Sequence, residues 1–329
     1  MKKFLLLASM LALLTATGLS QQKAGLLLTT ASSVGDAQEF HGYWIVRDGS
    51  SVDVTTGDRL LVPRKSGWWE LGITQLTRVG SQTRSARVWA APFGQPRAKT
   101  HVMPMSDDDT CPDDMNTYTV SWVGTDFAAL QHDYESSCMG RSVSRGQSFV
   151  VRLDDLREKN DVNAQRLKIS ELAGEDARKA MGDGAAAVSS DDENEISADE
   201  ESWIVSRERG HYRLLGTVER DMESGGQTYD VPLDPPKTLV GPDALAVGWD
   251  AVLHKVPDAV DAYTSPAGDW LVIVTPHSLQ VFTLDQGKIG ERLKRVQIES
   301  PAVVAAQWAL GEDLNAWGEV VKGAWTDGN

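Results

Sequence analysis

Long apolar runs are missing from this chain after its first twenty residues. A helix needs roughly twenty consecutive apolar residues to cross a bilayer, and no later segment approaches that length. We therefore expect no integral membrane segment beyond the N-terminal run. Basic residues are also scarce, with 32 lysines and arginines against 47 acidic residues and a formal charge of −15. Such a surface repels phosphate backbones, so nucleic acid is not an expected partner.

The first twenty residues have the parts of a secretory signal peptide in order. Two lysines are followed by an apolar run at residues 4–14, and the small residues Gly18 and Ser20 suit a cleavage site before Gln21. A retained membrane anchor is the alternative, but the run is shorter than a membrane-spanning helix. We therefore expect a bacterial protein that is periplasmic or secreted. Loss of the two lysines on cleavage would change the formal charge from −15 to −17.

Cysteine is nearly absent, since the chain has only Cys111 and Cys138. In an exported protein the simplest use of two cysteines is one disulfide, here closing a loop of roughly 27 residues and contributing about 3 kcal/mol. Two free thiols are the alternative. Residues 107–114 of this region carry five carboxylates, enough oxygen ligands for calcium. The glycine and distal glutamate of an EF-hand loop are missing, so we expect a solvated acidic loop.

Local motifs for metal, cofactor or catalytic chemistry are also missing. The six histidines are scattered, and no two are spaced i,i+4 as a helical zinc motif requires. Neither a phosphate-binding glycine loop nor a dinucleotide fingerprint is present. His132-Asp133 could form half of a catalytic pair, but neighbours on a strand face opposite sides, so we interpret both as surface polar residues. We expect no cofactor, no metal site and no catalytic residue.

Short segments of alternating apolar and polar residues dominate the remaining chain, which predicts a mainly β (α+β) fold. After a polar lead-in at residues 21–38, we expect one β-rich unit at 39–155 and a second at 202–329 that ends in a C-terminal helix. Between them we expect a helix at 156–182. Residues 183–201 follow with eight acidic residues and no basic or aromatic one, a composition typical of a flexible acidic linker.

Two sequence matches at one offset indicate that the two units are duplicated. The pattern Val-x-Arg-x-x-Gly, followed by two ring-bearing residues, any residue and leucine, contains Gly67 and recurs 143 residues later around Gly210. The same offset carries Phe127 and its apolar run onto Trp270 and its apolar run. We therefore expect both glycines to occupy equivalent tight turns with positive φ, and the two later strands to hold equivalent sheet positions. Unrelated β-hairpins with similar turn chemistry are the alternative.

Two stretches resemble known families. Residues 265–274, Ser-Pro-Ala-Gly-Asp-Trp-Leu-Val-Ile-Val, resemble a β-propeller blade of the Ser-Pro-Asp-Gly type with Ala267 in place of aspartate, which makes a degenerate β-propeller the alternative fold. Residues 123–134, Val-Gly-Thr-Asp-Phe-Ala-Ala-Leu-Gln-His-Asp-Tyr, resemble bacterial envelope domains of unknown function found beside polysaccharide deacetylases and in lysozyme-sensing anti-sigma factors. The Gly-Gly-Ala-His run of those domains is replaced here by residues 135–140, and no functional residue carries over.

Tryptophan is unusually frequent, with eleven in the chain. Trp68 and Trp69 are adjacent on an expected strand, so one should be buried and the other exposed, where it could stack on a sugar or anchor a peptide. These two are the candidate binding residues. We therefore expect an exported, non-catalytic binding or scaffolding protein of the bacterial cell envelope, with an envelope protein or a glycan as partner. An envelope hydrolase with a site assembled from distant residues is the alternative.

We predict that the mature protein begins close to Gln21. The apolar run ends at Gly18 and Ser20, whose small side chains suit the pockets of a signal peptidase. N-terminal sequencing of protein from the extracytoplasmic fraction should therefore start within a few residues of Gln21. Recovery of a soluble cytoplasmic protein that retains Met1 would contradict this prediction.

Overall fold

The computed structural model describes residues 23–34, 37–77, 84–95, 115–138, 141–158, 166–188, 198–219, 226–241 and 244–326. The expected signal peptide at residues 1–20, the expected acidic loop at 107–114 and residues 189–197 of the expected linker lie outside the described residues. Cys111 also lies outside them, so its disulfide with Cys138 and the calcium alternative stay predictions.

The described part of the chain is mainly β, as predicted, with seventeen strands and five helices. The strands are β1 (Ala24–Val34), β2 (Ala37–Asp48), β3 (Ser51–Gly57), β4 (Leu60–Arg64), β5 (Gly67–Thr77), β6 (Arg84–Pro92), β7 (Met115–Val123), β8 (Phe127–Cys138), β9 (Arg141–Arg152), β10 (Trp203–Glu208), β11 (His211–Glu219), β12 (Gly226–Val231), β13 (Asp261–Thr264), β14 (Trp270–Thr275), β15 (Ser278–Asp285), β16 (Lys288–Gln297) and β17 (Val303–Leu310). The helices are α1 (Asp155–Glu158), α2 (Ile169–Ala173), α3 (Glu175–Val188), α4 (Trp249–Lys255) and α5 (Glu312–Thr326). None of these helices combines the length and the apolar character needed to cross a membrane.

The strands form four hydrogen-bonded sheets. We call them the closing sheet (β17-β1-β2-β3), the six-stranded sheet (β4 to β9), the three-stranded sheet (β10 to β12) and the last sheet (β13 to β16). Every pairing is antiparallel except β6 with β7, which share two residue pairs in parallel orientation. The six-stranded sheet therefore divides at that weak junction into a first half-sheet, β4 to β6, and a second half-sheet, β7 to β9.

These five units contact one another in a cycle. One apolar cluster joins the closing sheet to the first half-sheet, a second joins the two half-sheets to each other and to the closing sheet, and a third joins the second half-sheet to the three-stranded sheet. A further cluster joins the last sheet to the closing sheet. The three-stranded and last sheets are joined by an ion pair of Arg207 with Asp261 at 3.0 Å. The alternative expectation of a degenerate propeller stays a prediction, because the four hydrogen-bonded sheets have 4, 3, 4 and 6 strands and are not separate four-stranded blades.

The cycle is closed by the pairing of the last strand with the first. β17 runs antiparallel to β1, with Leu28 opposite Ala306. Leu26 and Leu28 pack toward the last sheet and Leu27 packs on the opposite face with α5, so β1 is buried on both faces. The expectation of a polar lead-in at residues 21–38 is therefore wrong. β17 belongs to the expected second unit, yet it completes the sheet that begins with β1. The expected division into two units does not include this pairing.

The expectation of one helix at residues 156–182 is also wrong. The described residues form α1, α2 and α3, and Gly174, with φ of 78°, separates α2 from α3. α3 continues to Val188, so the first residues of the expected linker at 183–201 are helical. Gly184 lies against Tyr229, and a β-carbon at Gly184 would crowd that ring. The small residues at this end of α3 therefore serve close packing, and the expected C-terminal helix is present as α5.

The two matched glycines do not occupy equivalent turns, although both have positive φ. Gly67, with φ of 114°, pairs with Arg64, so it is the first strand residue after a two-residue turn. Gly210, with φ of 83°, lies inside its turn, because Glu208 pairs with His211. The strand register of the two hairpins therefore differs, and the expected turn equivalence is wrong.

The later matched strands hold different places in their sheets. β8, which begins at Phe127, is the fifth strand of the six-stranded sheet, whereas β14, which begins at Trp270, is the second strand of the four-stranded last sheet. The offset of 143 residues carries β4 to β6 onto β10 to β12, and β7 and β8 onto β13 and β14, but it carries β9 onto β16 and leaves β15 without a counterpart. The expected equivalence of sheet positions is therefore wrong, and the match is limited to the spacing of these strands.

We predict that cutting the chain between Ser189 and Ser190 will not separate its two parts. β17 in the C-terminal part is paired with β1 in the N-terminal part, and α3 packs on the three-stranded sheet, so the fragments share two apolar cores. A protease site inserted there should give two fragments that co-elute in native size-exclusion chromatography and separate only in denaturant. Two pieces that elute separately while folded would contradict the closed arrangement. Uncut protein carrying the same insertion is the control.

Candidate functional site

A cavity of about 750 Å³ lies where hairpins from the different units converge. The first hairpins of four units reach its wall through Lys65, Thr125, Tyr212 and Pro266. The closing sheet contributes β17, and α5 follows directly from it. All five units therefore meet at this cavity, and its volume lies within the range of small-molecule sites.

Aromatic side chains form much of the cavity wall. Six of them line it: Trp68, Trp122, Tyr212, Tyr263, Trp308 and Trp317. Trp122 and Tyr263 are 4% and 5% exposed and belong to the protein core. Trp68 and Trp317 are only partly buried and meet edge to face, with ring centroids 5.4 Å apart and planes at 78°. These two indoles therefore present ring surface to the cavity.

The adjacent tryptophans of β5 face opposite sides, as predicted. Trp69 is 5% exposed and packs in the core between the two half-sheets, with the Arg64 guanidinium 4.4 Å from its ring centroid. Trp68 points the other way and lines the cavity. Of the two candidate binding residues, the structure thus brings Trp68 to the site and leaves Trp69 in the core.

The second partly buried indole, Trp317, is positioned by α5. This helix packs on the closing sheet, where the Trp325 ring lies directly over the backbone of Gly42 and Gly57. A β-carbon at either glycine would overlap that ring, so glycine is required for the approach. The sequence predicts the C-terminal helix that carries Trp317 but does not indicate the contact of Trp317 with Trp68. That contact joins residues about 250 positions apart, a separation that helix periodicity does not report.

Two lysines give the cavity a local positive charge. Lys65 and Lys237 are exposed residues of the wall, and neither is paired with another residue that the structure describes. Asp313 is the one acidic residue of the described wall. Local motifs gave no indication of these lysines, because they come from a hairpin turn and from the segment after β12. The cavity is thus more cationic than a chain with a formal charge of −15 would suggest.

A third cation of the wall, Arg64, is already paired with two carboxylates, so this cluster has one net negative charge. Its guanidinium lies 2.9 Å from carboxylate oxygens of both Asp126 and Asp154, and its side chain is 7% exposed. The hydrogen bond from Arg64 lowers the pKa of Asp154, and the same bond raises the pKa of Arg64. Arg64 therefore remains charged and binds the second half-sheet. This ion pair fixes the position of the β4–β5 hairpin, which carries Trp68.

A similar ion pair joins the three-stranded sheet to the last sheet. Arg207, 7% exposed, donates to Asp261, and its guanidinium lies 4.6 Å from the ring centroid of Tyr212 and 4.3 Å from that of Tyr263. Asp261 also accepts hydrogen bonds from the backbone N–H groups of Gly210 and its own neighbour. Burial raises the pKa of Tyr263 well above its usual range, so this phenol stays neutral and is not a general base at physiological pH.

The described residues of the wall include few of the side chains that are typical of a hydrolase site. Glycoside hydrolysis usually takes two carboxyl groups on either side of the bond, and the described wall offers Asp313 alone, without a histidine. His132 lies elsewhere: it is 8% exposed, stacks on Tyr118 at 4.4 Å, and has Nε2 3.0 Å from Asn116. The interpretation of His132 as a surface residue is therefore wrong, whereas Asp133 is exposed and faces the opposite side. Burial lowers the pKa of His132.

A second, smaller cleft of about 360 Å³ lies between the closing and last sheets. His41 in its wall has Nε2 3.1 Å from the Ser32 hydroxyl and 3.3 Å from a Glu299 oxygen. Nowhere in the described ranges do three or more histidine, cysteine, aspartate or glutamate side chains gather in a way that could hold a metal ion. The larger aromatic cavity is therefore the candidate functional site.

Comparisons with protein-family models, with curated proteins and with solved structures find no match to this chain. The resemblance of residues 123–134 to envelope domains stays a prediction, and so does the binding role of Trp68. The geometry of the cavity is therefore the feature of this protein that bears on its function.

We predict that Asp261→Ala will destabilise the fold strongly. The substitution leaves the buried Arg207 charge and the Gly210 N–H without their partner, which costs about 3–5 kcal/mol for a buried pair. The control is Asp48→Ala, because Asp48 and Lys23 form a pair whose side chains are 66% and 58% exposed, and such pairs contribute at most about 1 kcal/mol. Urea denaturation measures both. Equal, small losses would show that the buried pair does not hold the two sheets together.

Proposed function

We propose that this protein is an exported, non-catalytic binding protein of the bacterial cell envelope, and that its ligand occupies the aromatic cavity. The observation that carries the proposal is the composition of the wall: six aromatic side chains and two lysines, with one carboxylate and no histidine among its described residues. An apolar pocket with a few convergent polar groups is the usual form of a ligand site.

The size of the cavity supports binding of a small ligand or of one end of a polymer. Its volume of about 750 Å³ suits a ligand that is largely enclosed. A stable protein–protein interface instead buries roughly 800 Å² on each partner, over a much broader surface. Ligand binding is therefore a better account of this cavity than scaffolding of a folded partner.

The chemistry of the wall supports a glycan over an envelope protein. Trp68 and Trp317 offer ring faces on which the C–H face of a sugar can pack. The side chains of Gln307, Thr125 and Thr238 line the same space. Amides and hydroxyls both donate and accept hydrogen bonds, which matches the hydroxyl groups of a sugar. The secretory leader at residues 1–20 would deliver the protein to the compartment where envelope glycans occur.

The alternative of an envelope hydrolase has no corresponding support at this cavity. A hydrolase would need a second carboxylate, or a nucleophile with its base, close to Asp313. Tyr263, the buried phenol of the wall, stays neutral because burial raises its pKa well above the usual range. We therefore propose binding without turnover.

We predict that Trp68→Ala will weaken ligand binding at least about tenfold, equivalent to about 1.4 kcal/mol, because it removes the stacking face. Isothermal titration calorimetry with oligosaccharides released from bacterial cell walls measures the effect. Trp249→Ala is the matched control, since Trp249 is a partly buried indole outside the cavity. Unchanged affinity in the Trp68 variant would exclude the cavity as the site. Accumulation of shortened oligosaccharides during incubation with the natural protein would instead favour the hydrolase.

A further inference from the structure

We infer that the cavity recognises an acidic saccharide, with Lys65 and Lys237 binding the carboxylate of the sugar and Trp68 stacking on its ring. This inference rests on the proposed function and names the chemical class of the ligand. Three observations support it. Two lysines of the wall have no described ion-pair partner, the rings of Trp68 and Trp317 are nearly perpendicular, and hydroxyl and amide side chains belong to the same wall.

The two lysines are the cations of the wall that remain available to an anion. Arg64 is held by two carboxylates at 2.9 Å and is 7% exposed, so it has little capacity for another partner. Arg207, beside the wall residues Tyr212 and Tyr263, is likewise paired with Asp261. Lys65 and Lys237 are exposed and have no ion-pair partner among the described residues. A ligand carboxylate would therefore be bound by the ammonium groups of Lys65 and Lys237, the wall cations that have no carboxylate partner among the described residues.

The ring geometry favours a sugar over a flat aromatic ligand. A nucleobase gains most from rings that lie parallel to its plane. Trp68 and Trp317 are inclined at 78°, and Trp308 is inclined at 82° to Trp270 behind it. In both pairs the rings are nearly perpendicular, so neither pair offers two parallel faces between which a planar group could stack. Each pair offers one ring face. A single face suits the C–H side of a sugar ring, which is puckered.

The polar groups beside the rings fit a hydroxyl-rich ligand. Thr125, Thr238 and Gln307 come from three different units of the wall or their connections, so they surround the space. Each side chain can both donate and accept a hydrogen bond, as sugar hydroxyls do. An acidic peptide would instead need partners for a row of backbone N–H and C=O groups, which an enclosed cavity provides less readily than a sheet edge.

The test compares a glucuronic-acid oligosaccharide with its carboxyl-reduced, neutral counterpart by isothermal titration calorimetry on the mature chain. We expect the acidic sugar to bind about tenfold more tightly, and the difference to shrink as salt is raised. Lys65→Gln and Lys237→Gln should each reduce this difference, whereas Trp68→Ala should weaken binding of both sugars. Lys294→Gln is the control, because Lys294 is an exposed lysine of β16 outside the cavity wall. Thermal unfolding of each variant checks that the fold is retained.

The outcomes separate this inference from the proposed function. Equal affinity for the acidic and neutral sugars would overturn the role of the lysines and leave a glycan-binding cavity. Binding of an acidic peptide, lost in Trp68→Ala, with no binding of either sugar, would overturn the saccharide class and leave the cavity as a ligand site. No Trp68-dependent binding of sugars or peptide would overturn both.

Discussion

The pairing of β17 with β1 is the constraint on which the rest of this structure depends. A cycle of packed sheets has one place where the chain begins and ends, and here hydrogen bonds between the first and last strands close it. The buried faces of β1 have partners only when β17, α5 and the last sheet are in place. β17 also supplies Gln307 and Trp308 to the cavity wall. The strand that closes the fold therefore also completes the cavity wall.

Ion pairs of arginine side chains also join neighbouring units. Arg64 joins the first half-sheet to the second, Arg207 joins the three-stranded sheet to the last, and Arg47, at 2.9 Å from Asp269, joins the closing sheet to the last. A buried ion pair contributes little net stability, because desolvation offsets most of its attraction. These pairs instead fix the relative orientation of neighbouring hairpins, because a planar guanidinium has several hydrogen-bond donors in fixed directions. The Val-x-Arg match in the sequence thus marks two positions that orient hairpins at the cavity.

Local patterns predicted the β-rich composition, the C-terminal helix and the opposite orientation of Trp68 and Trp69, because alternation and helical periodicity are properties of neighbouring residues. Features set by distant contacts were missed. The threonines and serines of residues 24–34 are typical of an exposed segment, yet β1 is buried by partners at the other end of the chain. Gly174, with φ of 78°, divides the segment that was expected to form one helix at 156–182. The site itself gathers side chains from five units, so no short motif could report it.

The contrast between an acidic protein and a cationic cavity has a physical basis in screening. At physiological ionic strength the potential of an exposed charge decays over about 8 Å, so distant surface carboxylates act weakly on a group inside the cavity. In the proposed complex, Lys65 and Lys237 would contact the ligand directly, and Coulomb attraction is strongest at that short distance. The overall negative charge would slow the approach of an acidic ligand, and the two lysines would determine whether it stays. An acidic surface can thus discourage nonspecific adsorption of anionic polymers while a small site still accepts one chain end whose shape matches the rings.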